Sequence, residues 1–419
     1  MLTLPIHADV RAEWRRGAVV AGALLIQLVI GAIQAWSIFQ KPLGDAYGWT
    51  ISETTVVFTI NYLAYGFSAL LGGLLIARFG PRRVAILAGV LYGGGIGLAS
   101  LAAHQLWILY LTAGLLSGIG RGIGYVVPVA VLVAWFPERR GTMTGLSAAA
   151  FGGSALLAAP LGAWLIITLG VLPTFALLGS LSLVLVVGAA SVLSLPAPAG
   201  LTASAVRAQR DDFALREALR TWQWYGLWLL LFVTGTVGLG LVSQMAPMVQ
   251  EVAGIDPLAA AGLISIVAAG NIVGRFFCGS LSDVVGCRAV FFAIIVVQAV
   301  LVYALAFSQE LWMFALCVTV VVLGHGGSLG TMPAFIADYY GPRHVGEILG
   351  LMLTASGFAS LLGPLVLAVL REQTGSYSAA LALLAGLTAL GAVTPLLLRP
   401  PSTRAVPLGA GLVAVSSHR

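Results

Sequence analysis

The stretch Gly73-Leu-Leu-Ile-Ala-Arg-Phe-Gly80-Pro-Arg82-Arg83 recurs in similar form 206 positions later as Gly279-Ser-Leu-Ser-Asp283-Val-Val-Gly286-Cys-Arg288. Pairs that are 204 or 205 positions apart extend the match: Pro128 and Pro333, Gly145 and Gly350, and Pro160 and Pro364. Matches at so constant an offset indicate an internal repeat. The two halves run in the same direction along the chain, so we expect each to fold into the same unit.

The composition is that of a membrane protein. Of the 419 residues, 59% are hydrophobic and 9% are charged, and the mean hydropathy is +1.01. Soluble domains contain roughly 25% charged residues, so this chain lacks the polar surface that they need. Disordered, nucleic-acid-binding and disulfide-rich proteins are excluded on the same grounds. The three cysteines have no metal-ligand spacing and are expected to be free thiols.

Twelve apolar runs are long enough to cross a bilayer as helices, which takes roughly 20 residues. They lie near residues 17–39, 54–77, 84–103, 106–135, 142–169, 171–195, 223–249, 257–281, 289–308, 311–337, 347–370 and 377–398. The first run is too long for a signal peptide, and eleven similar runs follow it. The sequence therefore predicts an all-α membrane protein with twelve transmembrane helices.

The basic residues predict the orientation, because Lys and Arg accumulate in short cytoplasmic loops. With the amino terminus inside, 17 of the 21 basic residues lie on the cytoplasmic side. Lys41 and Arg371 fall outside, and Arg121 and Arg275 fall within spans. We expect both termini in the cytoplasm, in a bacterial inner (plasma) membrane.

A polar stretch between the sixth and seventh runs divides the chain. The predicted units are a six-helix bundle at 1–195, a cytoplasmic linker at 196–222, and a second bundle with a short tail at 223–419. Parallel repeats in membrane transporters are related by an axis along the membrane normal, with a site between them near the midplane. The linker is expected to contain a short amphipathic helix with Asp211 as its N-cap, whose apolar face could lie on the membrane surface. Its apolar face would contain Phe213, Leu215, Leu219 and Trp222.

All fifteen acidic residues lie in loops or at span ends, so Arg121 and Arg275 are the only fixed charges predicted inside the membrane. An unpaired cation there costs at least about 2.5 to 3.5 kcal/mol. A carboxylate of a bound substrate is the missing counter-ion. The residues therefore predict an anionic substrate.

The two quoted stretches resemble the loop signature of the major facilitator superfamily. In that family an Asp and nearby Arg residues form a cytoplasmic charge cluster that helps to gate a transporter. The first copy has Arg82 but carries Ala77 where the Asp usually stands. The resemblance therefore places the gate mainly on Asp283 and Arg288.

Three further segments resemble one branch of the family, that of the oxalate/formate antiporters and monocarboxylate transporters. They are Phe213-Ala-Leu-Arg-Glu-Ala-Leu-Arg-Thr-Trp-Gln-Trp224, Gly120-Arg-Gly-Ile-Gly-Tyr125-Val-Val-Pro128 and Trp135-Phe-Pro-Glu-Arg-Arg-Gly141. The resemblance implies transport of small carboxylates by alternating access. Coupling would be either to protons or to an exchanged anion.

Arg275 is the predicted anchor for the carboxylate. A guanidinium binds a carboxylate with two hydrogen bonds, and Asn271, four residues earlier on the same helix face, can add another. By resemblance Arg275 matches the substrate-binding arginine of the branch. Alternatively, Arg275 extends its side chain toward Asp283 at the cytoplasmic end.

Arg121 and Tyr125 also lie four residues apart on one face. By resemblance Tyr125 matches a substrate-contacting tyrosine. Arg121 has no such match, and either binds substrate, where a second cation suits a dicarboxylate, or braces the packing of the helices. His325, the one histidine within a predicted span, is either a packed neutral imidazole or a site residue that carries the coupling proton.

Gln34 matches a site glutamine of the oxalate carrier. The sequence departs from that carrier at three positions: Ala35 and Leu329 replace tyrosines, and Ser356 replaces a lysine. These departures favour a smaller or less charged anion than oxalate. Four nearby aromatic residues are expected to pack or to lie at the membrane interface: Trp36, Phe39, Tyr62 and Tyr65.

The sequence thus predicts a secondary transporter of a small monocarboxylate such as lactate, pyruvate or formate, coupled to a proton. The alternatives are oxalate/formate-type anion exchange and another small-molecule carrier of the same superfamily. An enzyme is not expected, because the spans contain no nucleophile and base pair and no metal-ligand pattern. We expect no metal, no cofactor and no nucleic-acid partner, and a monomer in the lipid bilayer.

Overall fold

The computed structural model describes residues 6–103, 105–196, 212–253, 257–308 and 310–401. Within those residues the chain is almost entirely helical and has no β-strand, which confirms the all-α prediction. Eleven of its helical segments are long and apolar enough to cross a membrane. A further helix, at Pro257–Val285, is 29 residues long and coincides with the eighth predicted span.

The helices follow one another in two halves. The first half contains α1 (Ile6–Ile30), α2 (Ser37–Tyr47), α3 (Ile51–Phe79), α4 (Pro81–Leu98), α5 (Leu106–Leu109), α6 (Ser117–Trp135), α7 (Arg140–Leu169) and α8 (Val171–Ala190). The linker contains α9 (Leu215–Ala218). The second half contains α10 (Trp222–Ala253), α11 (Pro257–Val285), α12 (Cys287–Leu305), α13 (Leu311–Tyr340), α14 (Val345–Met352), α15 (Thr354–Thr374), α16 (Ser378–Gly391) and α17 (Val393–Leu397).

Two interruptions shape the first half. The first span changes from α1 to a 3-10 turn at Ala32–Ala35, and α2 then continues to Tyr47. The fourth span passes through a π-helical turn at Tyr110–Leu116 between α5 and α6. Such local changes in helical winding often accompany functional sites.

The repeated stretches form the same connection in both halves. Gly80 ends α3 with φ of 78°, and Gly286 ends α11 with φ of 87°. These angles lie in a region that residues with a Cβ rarely adopt. Pro81 then begins α4, where its missing N–H costs nothing. The repeat in the sequence is therefore a repeat of backbone structure.

Glycines allow the two halves to approach closely near the end of the bundle that carries Arg82, Arg140 and Arg288, hereafter the basic end. A Cβ on Gly279 of α11 would lie 2.8 Å from the Cα of Gly145 of α7. On the other side, a Cβ on Gly73 of α3 would collide with the backbone of Gly346 of α14. Gly73 and Gly279 are partners in the repeat, so the two contacts are related by the pseudo-twofold symmetry. Small residues permit this backbone contact in membrane helices.

Polar groups join the halves at the same end. The Asp283 carboxylate accepts hydrogen bonds of 2.7 Å from the backbone N–H groups of Gly141 and Thr142, and one of 2.6 Å from the Thr142 hydroxyl. A carboxylate at the start of α7 satisfies N–H groups that the helix leaves free. Arg140 forms an ion pair of 3.4 Å with Asp338 of α13. The basic end is therefore closed in this structure.

The linker packs against the protein. The backbone N–H of Phe213 donates to the Tyr340 carbonyl at 2.9 Å, and the two rings meet edge to face with centroids 5.7 Å apart. Leu215 and Leu219 also pack against the buried core. Phe213, Leu215 and Leu219 of the expected apolar face thus pack against the protein, whereas Trp222 is exposed. Asp211 lies outside the described residues.

Gly279→Ala is expected to lower the thermal stability of the purified protein by about 1 to 3 kcal/mol, because the added methyl group overpacks the contact with α7. Gly94→Ala is the matched control, since a Cβ there meets no atom within 4 Å. Alanine favours the helix over glycine by up to about 1 kcal/mol, so the control should be neutral or stabilising. Thermal unfolding in detergent measures both, and equal shifts would contradict the packing argument.

Candidate functional site

A cavity of about 350 Å³ lies between the two halves. On α11 its lining extends from Val267 to Arg275, and Asp283 follows eight residues later. Arg275 is thus about 12 Å by helix rise from the closed basic end. The lining residues are Gln34, Tyr62, Tyr65, Gly66, Arg121, Tyr125, Phe151, Gly152, Ala155, Leu239, Val242, Val267, Ala268, Asn271, Arg275, Val322, His325, Leu329, Ser356 and Gly357. All six predicted substrate-binding residues are among them.

Arg275 is held across the interface between the halves. Its Nε donates to Oδ1 of Asn271 at 3.1 Å, and its Nη1 donates to the carbonyl oxygen of Ala148 on α7 at 3.1 Å. Asn271 is fixed in turn, because its Nδ2 donates to the Val322 carbonyl at 3.0 Å. Nη2 has no hydrogen-bond partner among the described residues, so this edge of the guanidinium can bind an anion. The side chain does not reach Asp283, whose carboxylate binds the start of α7.

Gly152, on α7, leaves the space that the Arg275 side chain occupies. A Cβ on Gly152 would lie 2.9 Å from Nε of Arg275 and 3.1 Å from its Cζ. Any larger side chain at Gly152 would therefore displace the guanidinium. This glycine is a positioning residue that the sequence argument did not identify.

Arg121 is completely buried on α6. Its Nη1 donates to Oδ1 of Asn61 at 3.1 Å, and three aromatic rings surround its Cζ. The ring centroids of Tyr62, Tyr65 and Phe151 lie 4.2, 4.6 and 5.0 Å away. Each ring face attracts a cation. Nε and Nη2 of this guanidinium have no hydrogen-bond partner among the described residues.

Tyr125 and Gln34 border the same aromatic cluster. The Tyr125 ring packs edge to face against Tyr65 and Phe151, with centroids 5.6 and 4.9 Å apart. Nε2 of Gln34, in the 3-10 turn, donates to the Phe151 carbonyl at 3.3 Å. The break between α1 and α2 thus brings an amide to the cavity.

His325 is buried on α13 and lines the opposite wall. Its Nδ1 has no hydrogen-bond partner among the described residues. A Cβ on Gly238 of α10 would collide with the imidazole ring, so this glycine makes the room that the ring occupies. An unpaired nitrogen at a cavity wall is available to a ligand.

The structure corrects the expectation for two of the four aromatic residues. Tyr62 and Tyr65 line the cavity and contact Arg121, although the sequence argument assigned them to packing. Trp36 and Phe39 do pack, stacking near Phe175 beside a separate apolar cavity of about 180 Å³.

The internal repeat contained a signal that would have identified Tyr65 as a cavity residue. At the offsets of 205 and 206 positions, Tyr65 corresponds to Asn271 and Phe151 corresponds to Ser356. All four line the cavity. Equivalent positions on the two halves therefore face the same space, and a site residue in one half points to its partner in the other.

The predicted gating residues have different surroundings. Asp283 joins the two halves, as described above. Arg288 is exposed and bonds within the second half, donating from Nε to the Pro395 carbonyl at 2.5 Å and from Nη2 to the Leu396 carbonyl. Arg82 is exposed in the first half. The Asp283 carboxylate thus accepts hydrogen bonds from the start of α7, and none of its described hydrogen bonds comes from Arg288.

The charge of the cavity has one sign. Its lining contains Arg121 and Arg275 and, within the described residues, no Asp or Glu. Buried cations need a partner, because transferring a charge out of water is costly. The arrangement suits an anionic ligand.

Comparisons with known proteins agree with this architecture. The family model of the Major Facilitator Superfamily matches residues 20–286 and 263–416. The oxalate:formate antiporter of Oxalobacter formigenes is 27% identical over 354 residues, covering 82% of each chain. Monocarboxylate transporter 13 of Rattus norvegicus is 30% identical over 365 residues, covering 84% of this chain and 81% of that one.

Among solved structures, the transporter FucP in the outward conformation superposes with a TM-score of 0.70. It is 15% identical, and the match covers 90% of this chain and 97% of that one, so it bears on the fold alone. The family and these neighbours are transporters and not enzymes. The chain therefore belongs to the Major Facilitator Superfamily, as a multi-pass membrane transporter with the twelve-helix fold of that family.

Proposed function

We propose that this transporter carries a small organic anion by alternating access, with the carboxylate of the substrate bound at Arg275. The observation that supports the proposal best is the cavity between the halves, in which two arginines face no Asp or Glu of the described chain. A carboxylate would supply the missing charge. The relatives named for oxalate, formate and monocarboxylates favour the same class.

In this proposal the substrate is a monocarboxylate such as lactate, pyruvate or formate. Nη2 of Arg275 donates to the carboxylate, and Asn271 holds the guanidinium in position. Tyr125 and Gln34 orient the rest of the molecule from the first half. His325 takes up the coupling proton at Nδ1, which makes the transport a symport. The cavity of about 350 Å³ has room for substrates of this size.

The basic end would face the cytoplasm of a bacterial cell, as the distribution of basic residues indicates. Asp283 then holds the cytoplasmic side closed by capping α7, and the release of that cap accompanies the change of access. Arg288 and Arg82 would support the gate from the loops that follow α11 and α3. Closure at this end leaves the cavity to be reached from the other side of the membrane.

Arg275→Gln is expected to lower the affinity for a carboxylate by about tenfold to a hundredfold, because a hydrogen bond to a charged group is worth about 1.5 to 3 kcal/mol. Purified protein titrated with lactate, pyruvate and formate in a thermal-shift assay measures the change. Arg83→Gln is the control, since Arg83 is exposed outside the cavity. Equal stabilisation of the wild type and Arg275→Gln would refute the anchor.

His325→Gln is expected to separate transport from the proton gradient, because glutamine keeps a polar side chain but does not titrate. In liposomes, uptake should lose its dependence on an imposed pH gradient, while exchange of labelled for unlabelled substrate continues. A mutant that still acidifies the lumen as substrate enters would contradict the role of His325.

Anion exchange is the second candidate function, and the two buried arginines favour it specifically. Without substrate, both charges would have to pass through the occluded state uncompensated, at a large desolvation cost. An exchanger avoids that step because an anion is bound in each direction. Liposomes loaded with a counter-anion should then take up substrate, and liposomes without one should not.

Asp283→Asn is expected to loosen the closed end, since the three hydrogen bonds to α7 lose their charged acceptor. In a Cys278→Ala, Cys317→Ala background, maleimide labelling of the buried Cys287 should become about tenfold faster. Asp45→Asn is the control, because Asp45 is exposed on α2, at the other end of the bundle. If Asp283→Asn and Asp45→Asn label at the same rate, Asp283 does not hold the gate.

A further inference from the structure

The two arginines of the cavity come from opposite halves of the transporter. Arg121 belongs to α6 in the first half, and Arg275 belongs to α11 in the second half. The side chain of Phe151, on α7, packs against Arg121, and the next residue, Gly152, packs against Arg275. Both arginines line the same cavity of about 350 Å³.

The surroundings of Arg121 are those of a preformed anion site. A guanidinium has five N–H groups in a fixed plane, and Arg121 donates to one acceptor, Oδ1 of Asn61. Asn61 is itself fixed, because its Nδ2 donates to the Ala113 carbonyl at 3.1 Å and to the Ser117 hydroxyl at 2.8 Å. The aromatic rings steady the cation but leave its Nε and Nη2 without an acceptor.

A purely structural arginine would be expected to bind helix carbonyls. Within the described residues Arg121 donates to the side-chain oxygen of Asn61 and to no backbone carbonyl. Buried donors without partners are rare in native proteins and need an explanation. A ligand oxygen would satisfy both atoms of Arg121 and compensate its charge.

We propose that Arg121 is a second anion-binding residue and that it makes a short dianion, with a carboxylate at each end, the preferred ligand of this cavity. The inference rests on the proposed function, because it assigns the first carboxylate to Arg275, and it puts a dianion in place of the monocarboxylate as the preferred substrate. Two fixed positive charges are compensated by a charge of minus two, whereas a monocarboxylate leaves one guanidinium without an anion. Arg121 is thus the residue that sets the preferred charge of the substrate.

The same geometry links substrate binding to the movement of the halves. A dianion bound at Arg121 and Arg275 joins α6 to α11 across the cavity. A monocarboxylate at Arg275 makes no such charged contact with the first half. A ligand with two anionic ends therefore favours the state in which the halves close around it.

Calorimetric titration of the purified protein with acids of equal carbon number tests the proposal. The pairs are malonate with propanoate and succinate with butanoate, each at neutral pH. The wild type should bind the better of the two dicarboxylates about tenfold or more tightly than its matched monocarboxylate, the effect expected for one further charge-assisted contact. Equal affinities within both pairs would overturn the inference while leaving the carboxylate carrier intact.

Arg121→Gln should bring this ratio of affinities close to one, whereas Arg275→Gln should weaken binding of both acids of a pair. Arg121→Lys keeps the cation and should keep a preference for the dicarboxylate, so it serves if the glutamine variant does not fold. Arg83→Gln should keep the wild-type ratio. A dicarboxylate preference that survives Arg121→Gln would overturn the inference. If the wild type binds lactate, pyruvate or formate but none of the four acids, the inference is overturned and the proposed function stands; if it binds none of the seven, both fail.

Discussion

The cost of placing positive charge inside a membrane protein is the constraint on which the central cavity depends. Arg121 and Arg275 are buried, and the lining that surrounds them contains no acidic residue in the described chain. Contacts with the protein reduce this cost. Aromatic ring faces and the Asn61 side chain surround Arg121, and the Asn271 side chain and a helix carbonyl accept hydrogen bonds from Arg275. These contacts leave Nε and Nη2 of Arg121 without an acceptor. A substrate anion can supply the negative charge that these contacts do not provide.

The pseudo-symmetry of the fold brings these charges together without making the two walls alike. Glycines related by the repeat let α11 meet α7 and let α3 meet α14 at the basic end. Tyr65 and Asn271 occupy equivalent positions in the two halves, but one is part of an aromatic cage and the other is a hydrogen-bond partner of Arg275. The first half therefore offers an arginine among rings, and the second offers an arginine among polar groups. Such an asymmetric site can orient a small molecule that a symmetric one would bind in two ways.

The closed end shows the same departure from symmetry. Asp283 caps α7 by accepting hydrogen bonds from its first backbone N–H groups. The equivalent position in the first half is Ala77, which has no carboxylate to offer to α14. Glu347, in the first turn of α14, lies 3.4 Å from Nδ1 of His344, three residues earlier. The contact between α11 and α7 is thus stabilised by a carboxylate, whereas the contact between α3 and α14 depends on close backbone packing.

Much of this protein is determined by the sequence alone, since hydrophobic length and charge act locally. Runs of about 20 apolar residues must form helices in lipid, and the scarcity of charge made Arg121 and Arg275 conspicuous. All six residues predicted to bind substrate line the cavity. They could be predicted from these buried charges together with the family resemblance. Tyr62, Tyr65 and Gly152 were not predicted, because an aromatic residue or a glycine in a span looks the same whether it faces lipid, a neighbouring helix or a cavity; of the three, the repeat points only to Tyr65, through the predicted Asn271. The packing of Phe213 against Tyr340 was likewise not predictable from the linker sequence. Only the tertiary structure decides these cases, because the partner of a helix face depends on how distant helices pack, and that information is not local to any segment of the chain.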